Sequence, residues 1–126
     1  MSTIIDKMSF ILYIKDMTEV YTIEIYATEK GSEPFNEWFE SLKDKKTKTT
    51  LLLRIQRLRA GNFGDFKSFD GMYELRINFG SGYRIYCSKI GTQLILLLGG
   101  GDKGSQDRDI KKCKSYLEDH KRRNNE

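Results

Sequence analysis

One histidine, two cysteines and one proline in 126 residues remove whole classes of chemistry before any fold is considered. A transition-metal site draws three or four ligands from His, Cys and carboxylate side chains, and a lone His120 near the end of the chain does not supply them. The same scarcity excludes a paired-histidine ribonuclease and argues against a Ser-His-Asp triad. Cys87 and Cys113 are too few for a disulfide framework and are read as reduced core residues of a cytoplasmic protein. Long apolar runs are also missing. The opening "MSTIIDKMSFILYIKDM" has one short apolar patch between charges and no small-residue cleavage site, so it is read as neither a signal peptide nor a membrane span. The stretch "GGGDKGSQ" has P-loop spacing at Gly99 and Gly104, but Ser105 and Gln106 stand where the lysine and hydroxyl belong. No cofactor, metal or membrane partner is therefore expected.

What is present fits one domain with a modest core. Lys and Arg outnumber Asp and Glu by 22 to 18, which permits a nucleic-acid partner without requiring one. "VYTIEIYAT" alternates like a strand. Pro34 suits a first helical position, and Phe35, Trp38, Phe39 and Leu42 then make one apolar stripe. Asp44 is a candidate cap for a second helix reaching Ala60, with Leu51, Leu52, Ile55 and Leu58 inward and Arg54, Arg57 and Arg59 outward. "QLILLLGGG" reads as a strand buried on both sides, and Ile110, Cys113 and Leu117 mark one face of a last helix. The order is strand, helix, helix, three antiparallel strands, helix. That is an α+β fold with a helical hairpin on an antiparallel-dominated sheet.

The informative stretch is "GMYELRINFGSGYRIYC". Tyr73, Leu75, Ile77 and Phe79 alternate with Glu74, Arg76 and Asn78, and Tyr83, Ile85 and Cys87 alternate with Arg84, Tyr86 and Ser88. A three-residue loop over Gly80, Ser81 and Gly82 matches the apolar faces and sets Arg76 across from Tyr86 and Arg84 across from Asn78. Two guanidinium groups on one sheet face suit the charge that develops when a 2′-hydroxyl attacks its neighbouring phosphate without a metal. Tyr86 beside them is a candidate for base stacking or proton transfer. At the glycine turn, backbone N–H groups with Lys103 alongside are candidates to hold one phosphate of a polymer.

The ordered run "PFNEWFESL", "RIQRLRAGNFGDFK", "YELRINFGSGYRIY" and "LLLGGGDKGSQDRDI" resembles the RelE/ParE superfamily of toxins, in its HigB-like branch of addiction-module killer proteins. The likeness spans residues 20 to about 117. It implies a single RelE/HigB-like domain over 19–120, preceded by an N-terminal extension at 1–18 and followed by a basic tail at 121–126. The implied activity is that of a type II toxin: a metal-independent endoribonuclease that cleaves mRNA on the ribosome and is neutralised by a helix-turn-helix antitoxin. By this resemblance Lys67, Arg76, Arg84 and Lys103 match basic positions of the family; the catalytic candidates are then Arg76, Arg84, Lys67 and Tyr86, and the candidate RNA or phosphate contacts are Arg54, Arg57, Lys103 and Gln106. Tyr86, Asp102 and Lys67 are the candidates for general base and acid. The alternative within the superfamily is a ParE-like DNA gyrase inhibitor, or a toxin-fold protein that binds without chemistry.

Overall fold

Alternating apolar residues and turn glycines divide residues 19–125, which the computed structural model describes, into five strands, three α-helices and a short 3-10 turn. The order is β1 (Thr22–Ile25), α1 (Pro34–Ser41), α2 (Lys45–Arg59), β2 (Phe66–Phe69), β3 (Met72–Ile77), β4 (Tyr83–Ile90), β5 (Leu94–Asp102), the 3-10 turn (Lys103–Ser105) and α3 (Gln106–Arg123). The expectations for residues 1–18 lie outside the described residues. The strands form one mixed sheet in the order β1-β5-β4-β3-β2, with β1 parallel to β5 and every other pair antiparallel.

Two layers of helix cover this sheet, one on each face. Pro34 starts α1, and the Asp44 carboxylate accepts the Thr47 N–H at 3.1 Å to start α2. Phe35, Phe39, Leu51, Ile55 and Leu58 of this helical pair then bury Leu75, Ile77, Ile85, Cys87, Ile95 and Leu97. On the other face Cys113 and Leu117 of α3 cover Met72, Tyr86, Leu96 and Leu98. The alternation along β5 explains how one strand serves both layers, as the apolar run suggested.

Three glycines end that strand for steric reasons. Tyr86 pairs with Gly99 while the next residue, Cys87, pairs with Leu97, so Leu98 is an extra residue in β5 and shifts the alternation. A Cβ on Gly99 would stand 2.9 Å from the Cys113 sulfur, one on Gly100 would enter the Trp38 ring, and one on Gly101 would enter the Asp109 carboxylate. The glycines let α1 and α3 close on the sheet from opposite sides.

Three expectations are corrected. The antiparallel part of the sheet has four strands, because β2 (Phe66–Phe69) pairs with β3 (Met72–Ile77) through a tight turn at Asp70 and Gly71, both with positive φ. The β3–β4 loop has five residues, 78–82, so Arg76 stands across from Arg84, and Glu74 across from Tyr86. The two-residue shift keeps every side chain on its expected face. Phe79 leaves the strand but still packs on the apolar cluster. Finally, α3 runs through the expected tail to Arg123, because the Asp119 carboxylate accepts the Tyr26 hydroxyl at 2.6 Å and Arg123 donates to the Ala27 carbonyl at 2.7 Å.

Gly100→Ala is expected to lower stability by about 1–3 kcal/mol, since Trp38 and its neighbours must move, and urea denaturation measures it. Burial pushes the Cys87 and Cys113 thiols up to about 12 from the usual 9.0. An unfolded chain therefore ionises them at a pH where the folded chain does not, and stability falls as pH rises past about 9. Alkylation at pH 8, followed by mass spectrometry, should leave both thiols unmodified until urea is added.

Candidate functional site: an arginine pair over a buried carboxylate

On the sheet face that α3 covers, two cross-strand rows lie side by side. One runs Lys67, Glu74, Tyr86, Gly99; the next runs Arg76, Arg84, Gly101. Residues directly opposite share a face, so the strand register brings together Lys67, Arg76, Arg84 and Tyr86 from β2, β3 and β4. Lys103 joins them from the turn after β5, because the position of a Gly82 Cβ lies 3.6 Å from both Arg84 Nη1 and Lys103 Cβ.

Glu74 lies at the centre and is wholly buried. Its Oε1 faces Arg76 Nε at 3.5 Å, and its Oε2 faces Arg84 Nε at 3.8 Å. The same Oε2 accepts the Gln106 side-chain amide at 2.6 Å and the Tyr86 hydroxyl at 3.3 Å. The two arginines differ in freedom. Arg84 donates through Nη1 to the Gly82 and Tyr83 carbonyls at 3.0 and 3.3 Å, and its side chain is 11% exposed, against 35% for Arg76. Arg84 is thus pinned at the hairpin end while Arg76 reaches solvent.

The surroundings of Tyr86 rule out the part expected for its ring. It is fully buried under α3 and cannot stack on an RNA base. Burial, reinforced by the nearby Glu74 charge, raises its hydroxyl above the ordinary tyrosine range, the wrong direction for a base near neutral pH. Its bond to Glu74 makes it a support for the carboxylate. Gln106, expected on phosphate, likewise spends its amide on Glu74. The turn at Lys103–Ser105 is also occupied: the Asp102 carboxylate accepts the Gly104 and Ser105 N–H groups at 2.9 and 3.1 Å, so those donors do not await a phosphate and Asp102 serves as a cap.

Arg54 is also corrected, since it was expected on the outer surface and is only 3% exposed. It follows Leu51 by three residues and precedes Leu58 by four, a spacing that already pointed inward. Its guanidinium donates to the Arg76 carbonyl at 2.5 Å, Phe63 at 2.6 Å and Asp65 at 2.7 Å. Because β2 pairs with β3 only as far as Leu75, Arg54 satisfies the edge of β3 at Arg76. Arg59 is half-buried, and burial lowers its pKa. Arg57 is exposed on α2, on the opposite side of the sheet from Arg76 and Arg84. Neither Arg54 nor Arg57 joins the pair.

Among the described residues, no group of three or more His, Cys, Asp or Glu side chains is placed to hold a metal ion. None of the described helices is long and apolar enough to cross a membrane.

Arg54→Ala should destabilise the fold by on the order of 3 kcal/mol by chemical denaturation, because three carbonyls lose a charged donor. Arg57→Ala should stay within about 0.5 kcal/mol of the parent.

No family model matches the chain. An uncharacterized protein of Haemophilus influenzae is 49% identical over 86 residues, which covers 68% of this chain and 87% of that protein.

Proposed function

We propose that this chain, which belongs to the same family as the Haemophilus influenzae protein, is a metal-independent endoribonuclease of the RelE/HigB type, the toxin of a type II toxin-antitoxin pair. The observation that carries the reading is the arginine pair. Like charges directly opposite on neighbouring strands repel, yet Arg76 and Arg84 stand abreast with one buried carboxylate between them. The two guanidinium groups share one buried carboxylate, the Asp109 carboxylate stands over Gly101 beside Arg84, and Lys67 and Lys103 add two further positive charges on this face. A phosphodiester completes that arrangement.

Cleavage by such a site forms a bond from the 2′-oxygen to the adjacent phosphorus and breaks the bond to the 5′-oxygen; the proton that the 2′-hydroxyl gives up is balanced by one that the 5′-oxygen takes up, and the products are a 2′,3′-cyclic phosphate and a 5′-hydroxyl end. The phosphorane between these states carries more negative charge than the diester. Arg76, the more open of the pair, is suited to grip its non-bridging oxygens, and Arg84 lends charge from a fixed position. Lys67 and Lys103 are suited to neighbouring phosphates, which would set the register of the strand. Messenger RNA on the ribosome, neutralisation by a helix-turn-helix antitoxin and a cytoplasmic setting follow from the resemblance of the ordered segments.

The test is cell-free translation with purified protein, mapping new 5′ ends of the mRNA with and without ribosomes. Codon-positioned ends that require ribosomes are expected. Arg76→Ala should reduce their rate by about 10²–10³-fold and lower the melting temperature, because the buried Glu74 Oε1 loses the charge it faces. Arg84→Ala should reduce it similarly and also lower the melting temperature, because Glu74 loses a partner in the interior. Intact mRNA together with blocked gyrase supercoiling would overturn the proposal in favour of a ParE-like inhibitor.

A further inference from the structure

Removing a carboxylate from water costs several kcal/mol unless its partners repay it, so a wholly buried glutamate shared by an open arginine, Arg76, and a mostly buried one, Arg84, requires a reason. Glutamine has nearly the same shape and carries no charge to bury. What it cannot do is balance two guanidinium groups. The bonding of Glu74 is also asymmetric: Oε2 is clamped by Gln106 and Tyr86, whereas Oε1 accepts no hydrogen bond among the described residues and faces Arg76 through charge alone. Gln106 is the first residue of α3. The direction of the carboxylate is therefore set by where that helix begins.

Resting on the reading of the chain as a ribonuclease, we propose that Glu74 is a positioning residue: it orients Arg76 and Arg84 toward one phosphodiester and cancels one of their two charges, while Gln106 fixes the carboxylate. In this arrangement Glu74 touches no substrate. It acts by holding the pair in one geometry before RNA arrives, so that no reorientation is needed as charge develops.

The experiment compares Glu74→Gln and Gln106→Ala with the parent and Arg76→Ala in two assays. The first measures kcat and KM on ribosome-bound mRNA. The second measures binding of an uncleavable 2′-O-methyl oligonucleotide against salt concentration. Glu74→Gln should lower kcat by about 10²-fold without raising KM, a split that general unfolding does not produce. Its binding should gain salt dependence, the log–log slope steepening by about 0.7 for one uncancelled charge. Gln106→Ala should lower kcat less and leave the slope unchanged; should Glu74→Gln fail to fold, the kcat of Gln106→Ala decides. Parental kcat in both variants, with Arg76→Ala inactive, overturns the positioning role and leaves the ribonuclease standing. If the parent cleaves nothing, the ribonuclease reading falls and the binding slope decides: no steepening in Glu74→Gln, or no binding at all, overturns the charge-balancing role as well.

Discussion

The buried carboxylate of Glu74 is the interaction on which the rest of this face depends. It sits where β3, β4 and the start of α3 meet, and each element contributes a partner: Arg76 from β3, Arg84 and Tyr86 from β4, and Gln106 from α3. Without it, the register of β3 and β4 would set two like charges opposite each other beside an apolar layer. With it, the same register is a source of order. The two rings of constraint on Arg76 are complementary, since Glu74 holds its side chain while Arg54, from behind the sheet, holds its backbone carbonyl.

The glycine run at the end of β5 supplies the space for this arrangement. Side chains at Gly99 and Gly101 would push α3 outward through Cys113 and Asp109, and the bond between Gln106 and Glu74 would lengthen. A side chain at Gly100 would displace Trp38 on the other face. Packing on both faces thus converges on three consecutive residues that resemble a nucleotide loop in sequence. Their role is close approach of helix to sheet, with the following turn closed by the Asp102 cap.

Much of the scaffold was legible in the chain. The Pro34 start, the Asp44 cap, the doubly buried β5 and the two apolar faces of the hairpin all follow from local patterns of period two or near four, which backbone geometry imposes on neighbouring residues. The site was legible in part. Alternation placed Arg76 and Arg84 on one face correctly even though the loop length was misjudged, because a shift of two residues preserves the face. The short β2 was missed, since "FKSF" has only four residues and its pairing depends on the turn at Asp70 and Gly71. The roles of Arg54 and Gln106 were missed as well, because a polar side chain on a helix looks the same in sequence whether it reaches solvent or is captured, as Arg54 is by backbone carbonyls and Gln106 by the Glu74 carboxylate.

By itself, then, the sequence determined which residues share a face, which elements form and which chemistries lack their ligands, for these depend on spacing and composition within a few residues. Only the tertiary structure decided that the polar face is roofed by α3, that Tyr86 supports a carboxylate beneath that roof, and that Arg54 belongs to the interior. Those outcomes rest on contacts between residues distant in the chain, such as Glu74 with Tyr86, Arg54 with Arg76 and Glu74 with Gln106. No local pattern encodes them, because the energy of a buried charge is set by whichever partners the whole fold brings within reach.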